Sequence, residues 1–185
     1  MIRRGLCREA AEIRTEVFVR EQGFEEEFDR IDPAALHVVL FEAGEAAATG
    51  RLFTEADAQR AERAGADGER TCTAETAQKK AVLPETPGRE THVRQERQIP
   101  PDRLYHIGRV AVRKKFRGRA LGRAVMEALE REARVRGGEK IVLSAQLRAA
   151  GFYERLGYHR VGEVYLDESC PHIRMEKPLA PSCEE

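Results

Sequence analysis

The sequence predicts a mixed α/β fold in which helices pack on a single sheet. Short apolar runs of strand type alternate with amphipathic segments of helical period along most of the chain. These segments follow the order helix, two strands, insertion, strand, loop, helix, strand, helix and two strands, which is typical of helices layered on one sheet. The length of 185 residues suits one domain with a sizeable core rather than two domains.

The N-terminal part of the chain predicts a helix followed by a β-hairpin. Ala10, Ile13 and Val17 recur at helical spacing, and Gly23 is expected to end that helix. An acidic run at 25–32, which includes Asp29, is interpreted as a solvated surface segment. The predicted elements are a helix over 8–20, a strand over 37–41, a turn at 43–45 and a strand over 48–53.

Residues 54–104 differ sharply in composition from the segments on either side. Only five strong hydrophobes occur there, at Val82, Leu83, Val93, Ile99 and Leu104. Such a segment buries too little apolar surface to offset an ordering entropy of about 1–2 kcal/mol per residue. We therefore predict a mostly disordered insertion at 54–104, with a transient helix near 55–64, within one domain that spans 1–177.

The C-terminal half predicts alternating strands and helices. The 120–136 helix has an apolar stripe spaced by three and four residues, and Gly137-Gly138 is a typical helix stop. The predicted elements are a strand over 105–112, a basic loop over 113–119, a helix over 120–136, a strand over 140–145, a helix over 146–156, strands over 159–166 and 172–177, and a frayed tail over 178–185.

Charge and composition exclude several classes of function. The 32 basic and 32 acidic residues give a formal net charge of zero, which argues against nucleic acid or an anionic membrane as partner. No run approaches the ~18 apolar residues of a spanning helix, and the first residues resemble no secretory leader. The four cysteines form neither a C-x-x-C pair nor a cluster of zinc spacing. We expect a cytoplasmic protein with free thiols, no metal and no membrane partner.

A basic loop that precedes a helix is the most informative segment. Small residues at Gly118, Ala120 and Gly122 would let an anion approach backbone N–H groups at the positive end of the helix. An ordinary basic turn before a helix is the alternative interpretation. Seven basic residues fall within 15 positions: Arg109, Arg113, Lys114, Lys115, Arg117, Arg119 and Arg123.

This segment resembles motif A of the GNAT N-acetyltransferases. The stretch Val110-Ala111-Val112, four spacers and then Arg117-Gly118-Arg119-Ala120-Leu121-Gly122 is similar to the family pattern R/Q-x-x-G-x-G/A. Most members have glycine where this chain has Ala120, and an alanine suits a first helical turn. The resemblance implies that residues 110–112 and 117–123 bind acetyl-CoA, with its pyrophosphate held in the loop.

Two further segments support the same resemblance. The residues from Gln146 through Phe152-Tyr153 to Tyr158 resemble GNAT motif B, with Gln146 at the position of an asparagine expected to contact the pantetheine arm. Residues 14–22, together with 171–175, resemble the ElaA-like and YjcF-like branch. The family implies a mostly antiparallel sheet flanked by helices. Its first strand is expected to be almost absent here, since the helix begins by residue 8.

The resemblance implies direct attack of an amine on the acetyl thioester, without an acyl-enzyme. Tyr153 would assist the leaving thiolate, and the backbone N–H of Val110 would polarise the carbonyl. Because a thiol titrates near ~8.5 and tyrosine near ~10, full proton transfer is uphill by roughly 2 kcal/mol. A hydrogen bond to the thiolate is therefore as good an interpretation as protonation. Packing in the core is the alternative role for Tyr153.

Three residues are candidates for the general base. His106 lies four residues before Val110 and shares its strand face if no bulge intervenes. Glu21 lies where this branch is implied to line the acceptor pocket, and His172 lies on a closing strand. Each also has a purely structural interpretation, as a solvent-facing or packed side chain.

The sequence therefore favours an acetyl-CoA-dependent N-acetyltransferase acting on a small-molecule primary amine. Two alternatives remain open: a non-catalytic acyl-CoA sensor and an enzyme resembling acyl-homoserine-lactone synthases. A homodimer is compatible with the sequence, which does not specify the acceptor.

Overall fold

The computed structural model describes residues 1–25, 27–66 and 98–179, which form one seven-stranded sheet flanked by helices. The strands are β1 (Ile2–Arg4), β2 (Leu36–Glu42), β3 (Glu45–Thr54), β4 (Leu104–Val112), β5 (Lys140–Gln146), β6 (His159–Asp167) and β7 (Cys170–Pro178). The helices are α1 (Arg8–Arg14), which continues as a π-helical segment over Thr15–Glu21, then α2 (Glu55–Ala66), α3 (Leu121–Val135) and α4 (Ala150–Glu154). The predicted mixed α/β architecture is confirmed.

The strand order β1-β2-β3-β4-β5-β7-β6 contains one parallel pair, β4 with β5. All other neighbours are antiparallel. The parallel pairing is short: it joins Leu104 to Lys140 and ends where His106 meets Val142. Beyond that point no pairing joins the two strands, whereas the other edge of β5 pairs with β7 from Lys140 to Gln146. The centre of the sheet is therefore open along the C-terminal halves of β4 and β5.

Two apolar layers fix the helices on the sheet. On one face α3 buries Val125, Met126 and Leu129 completely, against β2, β3, β4, β5 and β7. On the other face α1 buries Ala10 and Ile13 against β2, β3 and β4. The alternation of apolar residues along β4 thus serves two different cores, which is typical of a central strand.

Gly50 explains how closely α3 approaches the sheet. A Cβ at this position would lie 2.6 Å from Val125 Cγ1 and 2.9 Å from Leu129 Cδ1. A larger side chain would have to displace the helix, so the glycine sets the distance between β3 and α3.

The structure corrects three boundaries of the sequence analysis. The first strand is present, since Ile2–Arg4 pairs antiparallel with β2. Residues 54–66 are not disordered: Thr54 ends β3 and the rest form α2. At the other end of the domain, Leu179 is buried and its N–H donates to the carbonyl of Glu139 at 2.9 Å, so the frayed tail does not begin at 178. Residues 98–104 are not disordered either: the N–H of Leu104, which begins β4, donates to the carbonyl of Pro100 at 3.1 Å. The other parts of those two predictions, 67–97 and 180–185, lie outside the described residues.

Helix α2 forms because its start is capped. Thr54 Oγ1 accepts a hydrogen bond from the N–H of Asp57 at 3.0 Å, and the carboxylate of Asp57 accepts one from the N–H of Thr54 at 3.1 Å. This reciprocal pattern is a capping box with aspartate in the third position. Composition predicted only a transient helix near 55–64, because this segment contains no strong hydrophobe.

Cys7 and Cys170 are free thiols, and the other two cysteines lie outside the described residues. No helix within the described ranges is long and apolar enough to cross a bilayer.

Candidate active site

A cleft of about 550 Å³ lies where β4 and β5 part. Its walls come from the π-helical segment, the second half of β4, the end of β5, α4 and the turn between β6 and β7. The π-helical segment contributes Val17, Phe18 and Glu21. Single turns of π-helix often occur at functional sites, because the extra residue per turn redirects neighbouring side chains.

A β-bulge in β4 shapes one wall of this cleft. The pairing with β3 joins Thr49 to Ala111 but Arg51 to Gly108, so β4 carries one extra residue there. The extra residue is Arg109, whose φ is 53°. Neither Arg109 nor Val110 has a pairing partner in β3 or β5, two strands that are described in full. The bulge thus leaves the backbone of Val110 facing the cleft without a ladder partner.

The bulge also determines which side chains share a face of β4. Ile107 and Val110 both pack in the core beside α3, although an unbroken strand would place them on opposite faces. His106 and Val110 were predicted to share a strand face only if no bulge lay between them, and the bulge at Arg109 does lie between them.

The basic loop leads into α3 through two residues of positive φ. Gly118 has a φ of 80°, and Ala120, the N-cap residue, has a φ of 58°. No side chain caps this helix, and its first turn has no acidic residue. The first N–H groups of α3 are therefore available to an anion. The sequence predicted that Ala120 lies in the first helical turn. Instead, Ala120 precedes that turn and has the left-handed conformation that favours glycine.

Carboxylates already neutralise most of the seven basic residues around this loop. Six of them lie within ion-pair distance of a carboxylate, and Lys114 has no such partner among the described residues. The pairs are Arg109–Glu27, Arg113–Glu16, Lys115–Glu45, Arg117–Glu21, Arg119–Glu42 and Arg123–Glu127. The local positive charge is thus weaker than the sequence indicated.

The pair between Arg117 and Glu21 lies inside the cleft. Arg117 Nη1 and Nη2 donate to the two carboxylate oxygens of Glu21 at 2.6 and 2.7 Å. The hydrogen bond from Arg117 holds the pKa of Glu21 below its usual range. A candidate phosphate ligand and a candidate general base are therefore bound to each other.

Tyr153 lies on α4 and lines the cleft beside Gly122 and Phe152. Its ring packs edge-on against Phe152, with centroids 5.0 Å apart. Burial raises the pKa of Tyr153 to about 12. No described residue hydrogen-bonds to its hydroxyl, which leaves that group available to a ligand. Tyr153 therefore combines a packed ring with a hydroxyl at the cleft, and its role toward the leaving thiolate stays a prediction.

His172 also lines the cleft and is only 6% exposed. Its Nδ1 lies 2.9 Å from the carbonyl oxygen of Cys170. Because a carbonyl only accepts, Nδ1 is the protonated nitrogen, and the neutral ring carries its lone pair on Nε2. No described residue bonds to Nε2. The ring stacks on Tyr165, with centroids 6.2 Å apart.

His106 lies elsewhere: it is not one of the residues that line the cleft. Its Nε2 donates to a carboxylate oxygen of Glu55 at 2.7 Å, and its ring stacks on Phe53. Burial lowers the pKa of His106, although the contact with Glu55 opposes this. The arrangement ties the first residue of α2 to β4.

Gln146 lines the cleft, and its expected contact with the pantetheine arm stays a prediction. Its amide nitrogen donates to Gln22 Oε1 at 2.7 Å, and its oxygen accepts from Arg148 Nε at 2.9 Å. These contacts link the end of β5 to the end of the π-helical segment.

The acidic run at 25–32 is not a solvated segment, which corrects the sequence analysis. Glu27 is 4% exposed and binds Arg14 Nε at 2.6 Å and Arg109 Nε at 3.1 Å through its two oxygens. Asp29 and Asp32 both bind Arg51 Nη1, at 2.7 and 2.8 Å. The run therefore folds back onto the sheet and brings Glu27 to the cleft. An arginine at an apolar helix position, Arg14, was the available sequence signal for this network.

Asp167 and Glu168, in the turn between β6 and β7, also line the cleft. The predicted strands over 159–166 and 172–177 already placed a turn here, but nothing in the sequence indicated that this turn reaches the cleft. Among the described residues there is no group of three or more His, Cys, Asp or Glu side chains that could hold a metal ion.

With this geometry established, comparisons with known proteins identify the fold family. Residues 90–179 match the family model described as Acetyltransferase (GNAT) domain. Just under half of the chain is therefore similar to a GNAT domain. The match covers the bulged strand, the loop before α3, Tyr153 and His172, so the matched region includes most of the residues that line the cleft.

A relative matches along nearly the whole chain. The uncharacterized N-acetyltransferase YjcF of Bacillus subtilis is 27% identical over 92% of this chain and 91% of its own length. Two other B. subtilis proteins match over shorter stretches. One, described as a putative acetyltransferase, is 38% identical, and the uncharacterized protein YyaT is 30% identical. Those stretches span 48% and 50% of these relatives, so the chain covers about half their length.

Solved structures show the same fold. An acyl-CoA N-acyltransferase from Pseudomonas aeruginosa superposes with a TM-score of 0.64 and 24% identity, covering 96% of this chain and 97% of that one. Escherichia coli ElaA gives a TM-score of 0.61 and 21% identity, over 91% and 87%. The acyl-homoserine lactone synthase BjaI, solved with SAM and isopentyl-CoA, superposes with a TM-score of 0.63 and 14% identity. This superposition covers 93% of the present chain and 75% of BjaI.

Proposed function

We propose that this protein is an acetyl-CoA-dependent N-acetyltransferase that acetylates a primary amine of a small molecule. One observation carries the proposal: the parted strands β4 and β5 open a cleft beside a bulge at Arg109 and the uncapped start of α3. An extended thioester substrate fits such a cleft, with its anionic end at the helix and its acyl end at the bulge.

The residues around the loop suit the coenzyme. The N–H groups of the first turn of α3 and the guanidinium of Arg117 would hold the pyrophosphate, because both are matched to phosphate oxygens. The exposed strand edge from Val110 to Val112 would bind the pantetheine amides, and Gln146 would contact them from β5. Gly118 leaves space for the coenzyme, since no described atom lies within 4 Å of the position that a Cβ would occupy.

In the reaction the amine nitrogen attacks the thioester carbon, and the carbon–sulfur bond breaks. The N–H of Val110 would donate to the carbonyl oxygen, where negative charge develops. We assign the general base to His172, whose Nε2 carries the lone pair and has no partner among the described residues. It would take the proton that the amine nitrogen loses. His106 is less suited, since its Nε2 donates to Glu55.

Tyr153 would stabilise the leaving thiolate by hydrogen bonding rather than by proton transfer. With a thiol near ~8.5 and Tyr153 at about 12, the gap of ~3.5 units makes complete transfer uphill by about 5 kcal/mol. A hydrogen bond from a neutral hydroxyl requires no such transfer, and the departing sulfur would gain its proton from water.

The test begins with coenzyme binding and ends with turnover. Isothermal titration of the full chain with acetyl-CoA and with CoA measures binding directly, and release of free CoA across a panel of primary amines measures transfer. We expect micromolar binding and amine-dependent CoA release. Absence of binding to both coenzyme forms would refute the proposal.

Two other functions are separated by the same measurements. Acyl-CoA binding without CoA release for any amine would favour a sensor. Tighter binding of longer acyl-CoA, with S-adenosylmethionine as the productive acceptor, would favour chemistry like that named for BjaI.

A further inference from the structure

Arg109 has a strained backbone conformation in the middle of a strand. Four non-glycine residues in the described ranges have a positive φ, and three of them, Ala43, Ala120 and Glu168, lie in turns or before a helix. Arg109, with a φ of 53°, lies inside β4. A residue other than glycine adopts this conformation at a cost, and the conformation persists only where the surrounding structure imposes it. Contacts of Arg109 or of its neighbours therefore impose the bulge.

Glu27 makes the close polar contacts of the Arg109 side chain. Arg109 Nε donates to the carbonyl oxygen of Glu27 at 3.2 Å and lies 3.1 Å from its carboxylate oxygen Oε2. The carboxylate of Asp29 is more distant, at 3.7 Å from Arg109 Nη2. Because Glu27 is almost fully buried, water competes little for its contact with Arg109.

Glu27 is itself held by helix α1. Arg14 Nε donates to the other carboxylate oxygen of Glu27 at 2.6 Å, and Arg14 Nη2 donates to its carbonyl oxygen at 2.6 Å. Arg14 lies on α1 and is fully buried. Glu27 therefore bridges a fixed residue of α1 and the bulged residue of β4, through both its carboxylate and its main chain.

We propose that Glu27 is a positioning residue for the reaction: by binding Arg109, it holds the bulge that directs the N–H of Val110 to the thioester carbonyl. This inference rests on the proposed function, which assigns that N–H to the carbonyl oxygen. Without the bulge, Val110 would lie opposite Thr49, which now pairs with Ala111. Val110 would then belong to the ladder between β3 and β4 instead of facing the cleft unpaired.

Apolar packing is the competing explanation for the bulge. Val110 packs in the core beside α3 and Ala111 in the core beside α1, so these two side chains also favour the bulged register. Substitutions at position 109 separate the two explanations. Alanine and glycine both remove the contact with Glu27, but only glycine adopts a positive φ without cost.

The first test measures the backbone of residue 109 by NMR scalar couplings and requires neither coenzyme nor amine. The unmodified protein should show a positive φ, and Arg109→Ala an extended φ. Glu27→Gln should give an intermediate coupling, because its amide keeps only one of the two arginine contacts as acceptor. Arg109→Ala leaves the pair of Glu27 with buried Arg14 intact, so this variant should fold. A positive φ unchanged in both variants would overturn the proposal.

The second test measures turnover as CoA release at saturating acetyl-CoA and amine. Arg109→Ala should lower kcat by about 10- to 100-fold, because a misdirected donor no longer stabilises the oxyanion. Arg109→Gly should restore kcat to within about threefold of the unmodified protein, since glycine keeps the bulge without the contact. CoA affinity from titration calorimetry should stay nearly unchanged in both variants. Equal losses of kcat for alanine and glycine would overturn the proposal.

Glu27→Gln completes the comparison. It should lower kcat by roughly three- to tenfold, less than Arg109→Ala, because the carbonyl of residue 27 still accepts from Arg109. In the Arg109→Gly background the same change should have no further effect. A loss that persists undiminished in that background would show that Glu27 does not act through Arg109.

Glu16→Gln is the matched control. Glu16 lies on the π-helical segment, pairs with Arg113 at 2.9 Å and does not line the cleft, so its change removes the same charge without altering the bulge. A loss of kcat equal to that of Glu27→Gln would overturn the proposal. If the unmodified protein releases no CoA with any amine, the proposed function fails and the role in the reaction with it. Normal turnover that neither Arg109→Ala nor Glu27→Gln alters refutes this inference alone.

Discussion

The carboxylate of Asp32 accepts hydrogen bonds from Arg14 Nη1 at 2.6 Å and from Arg51 Nη1 at 2.8 Å, so one buried acid bridges two buried arginines. Arg14 comes from α1 and Arg51 from β3. Asp32 itself lies in the segment between α1 and β2, which this contact fastens to the sheet.

Asp32→Asn should destabilise the fold strongly. The change leaves the positive charge of Arg14, which is fully buried, with less compensation. Breaking a buried ion pair from one side typically costs about 3–5 kcal/mol. Urea unfolding should therefore show a loss of about 3 kcal/mol. Glu127→Gln, which removes the exposed i,i+4 partner of Arg123, should change stability by less than about 0.5 kcal/mol.

The same residue predicts a pH dependence. Burial would raise the pKa of Asp32, but the hydrogen bond from Arg14 and the charge of Arg51 lower it to about 2. Because the pKa of Asp32 is lower in the folded state than its value near 3.8 in the unfolded state, ionised Asp32 stabilises the fold at pH values above 3.8. This stabilisation disappears as the pH falls toward 2. The shift corresponds to about 2 kcal/mol.

Unfolding free energies measured from pH 5 to pH 2 should decline in the unmodified protein and decline less in Asp32→Asn. Burial raises the pKa of Glu27, so its protonation stabilises the folded state on acidification and opposes the effect of Asp32. The comparison between the two proteins isolates Asp32. Parallel pH profiles would contradict the assigned pairing.

Ala120→Gly should stabilise the protein. A non-glycine residue with a φ of 58° costs about 1–2 kcal/mol, and glycine removes this cost but loses more entropy on folding. We expect a net gain of about 0.5–1 kcal/mol in thermal or urea unfolding. Ala124→Gly, in the interior of α3, should instead lose about 1 kcal/mol. If both variants lose stability, Ala120 does not have the left-handed conformation.

Tyr153→Phe should reduce turnover without reducing stability. The hydroxyl has no partner among the described residues, so its loss leaves no protein group unpaired. Its proposed hydrogen bond to the thiolate forms during the reaction, and its removal should lower kcat by roughly 10²-fold. Steady-state CoA release measures this effect.

Tyr158→Phe is the matched control for Tyr153. The hydroxyl of Tyr158 donates to Glu130 at 3.1 Å in the core, so this variant should lose about 1 kcal/mol of stability and keep its kcat. Equal turnover of Tyr153→Phe and the unmodified protein would remove Tyr153 from the mechanism.

Local features of the fold were predictable from the sequence because they depend on periodicity. The stripe on α3 and the stop at Gly137-Gly138 are contained within one segment, and the structure has both. Long-range contacts were not predictable. The bulge at Arg109 depends on the register with β3, and the neutralisation of Arg117 depends on a residue 96 positions away.

Ala120 shows that the sequence does not predict every backbone conformation even within a single motif. The sequence identifies the position, but helical propensity favours the first turn for an alanine. The chain path from Gly118 to α3 decides its actual conformation, and that path is a property of the folded loop.

His172→Gln should lower turnover most at neutral pH. Glutamine keeps a polar side chain at the cleft but cannot take a proton, so kcat/KM should fall by roughly 10²-fold. The loss should shrink as the pH rises, because more of the amine is then already neutral in solution. A pH–rate profile from 6 to 10 measures both effects.

His106→Gln separates the two candidate histidines. His106 donates to Glu55 and lies outside the residues that line the cleft, so this variant should lose stability while its pH–rate profile keeps its shape. The reverse outcome, an altered profile for His106→Gln with an unaltered one for His172→Gln, would transfer the role of general base to His106. The shape of the profile decides the question, because a purely structural histidine would change the amount of folded enzyme without changing its dependence on pH.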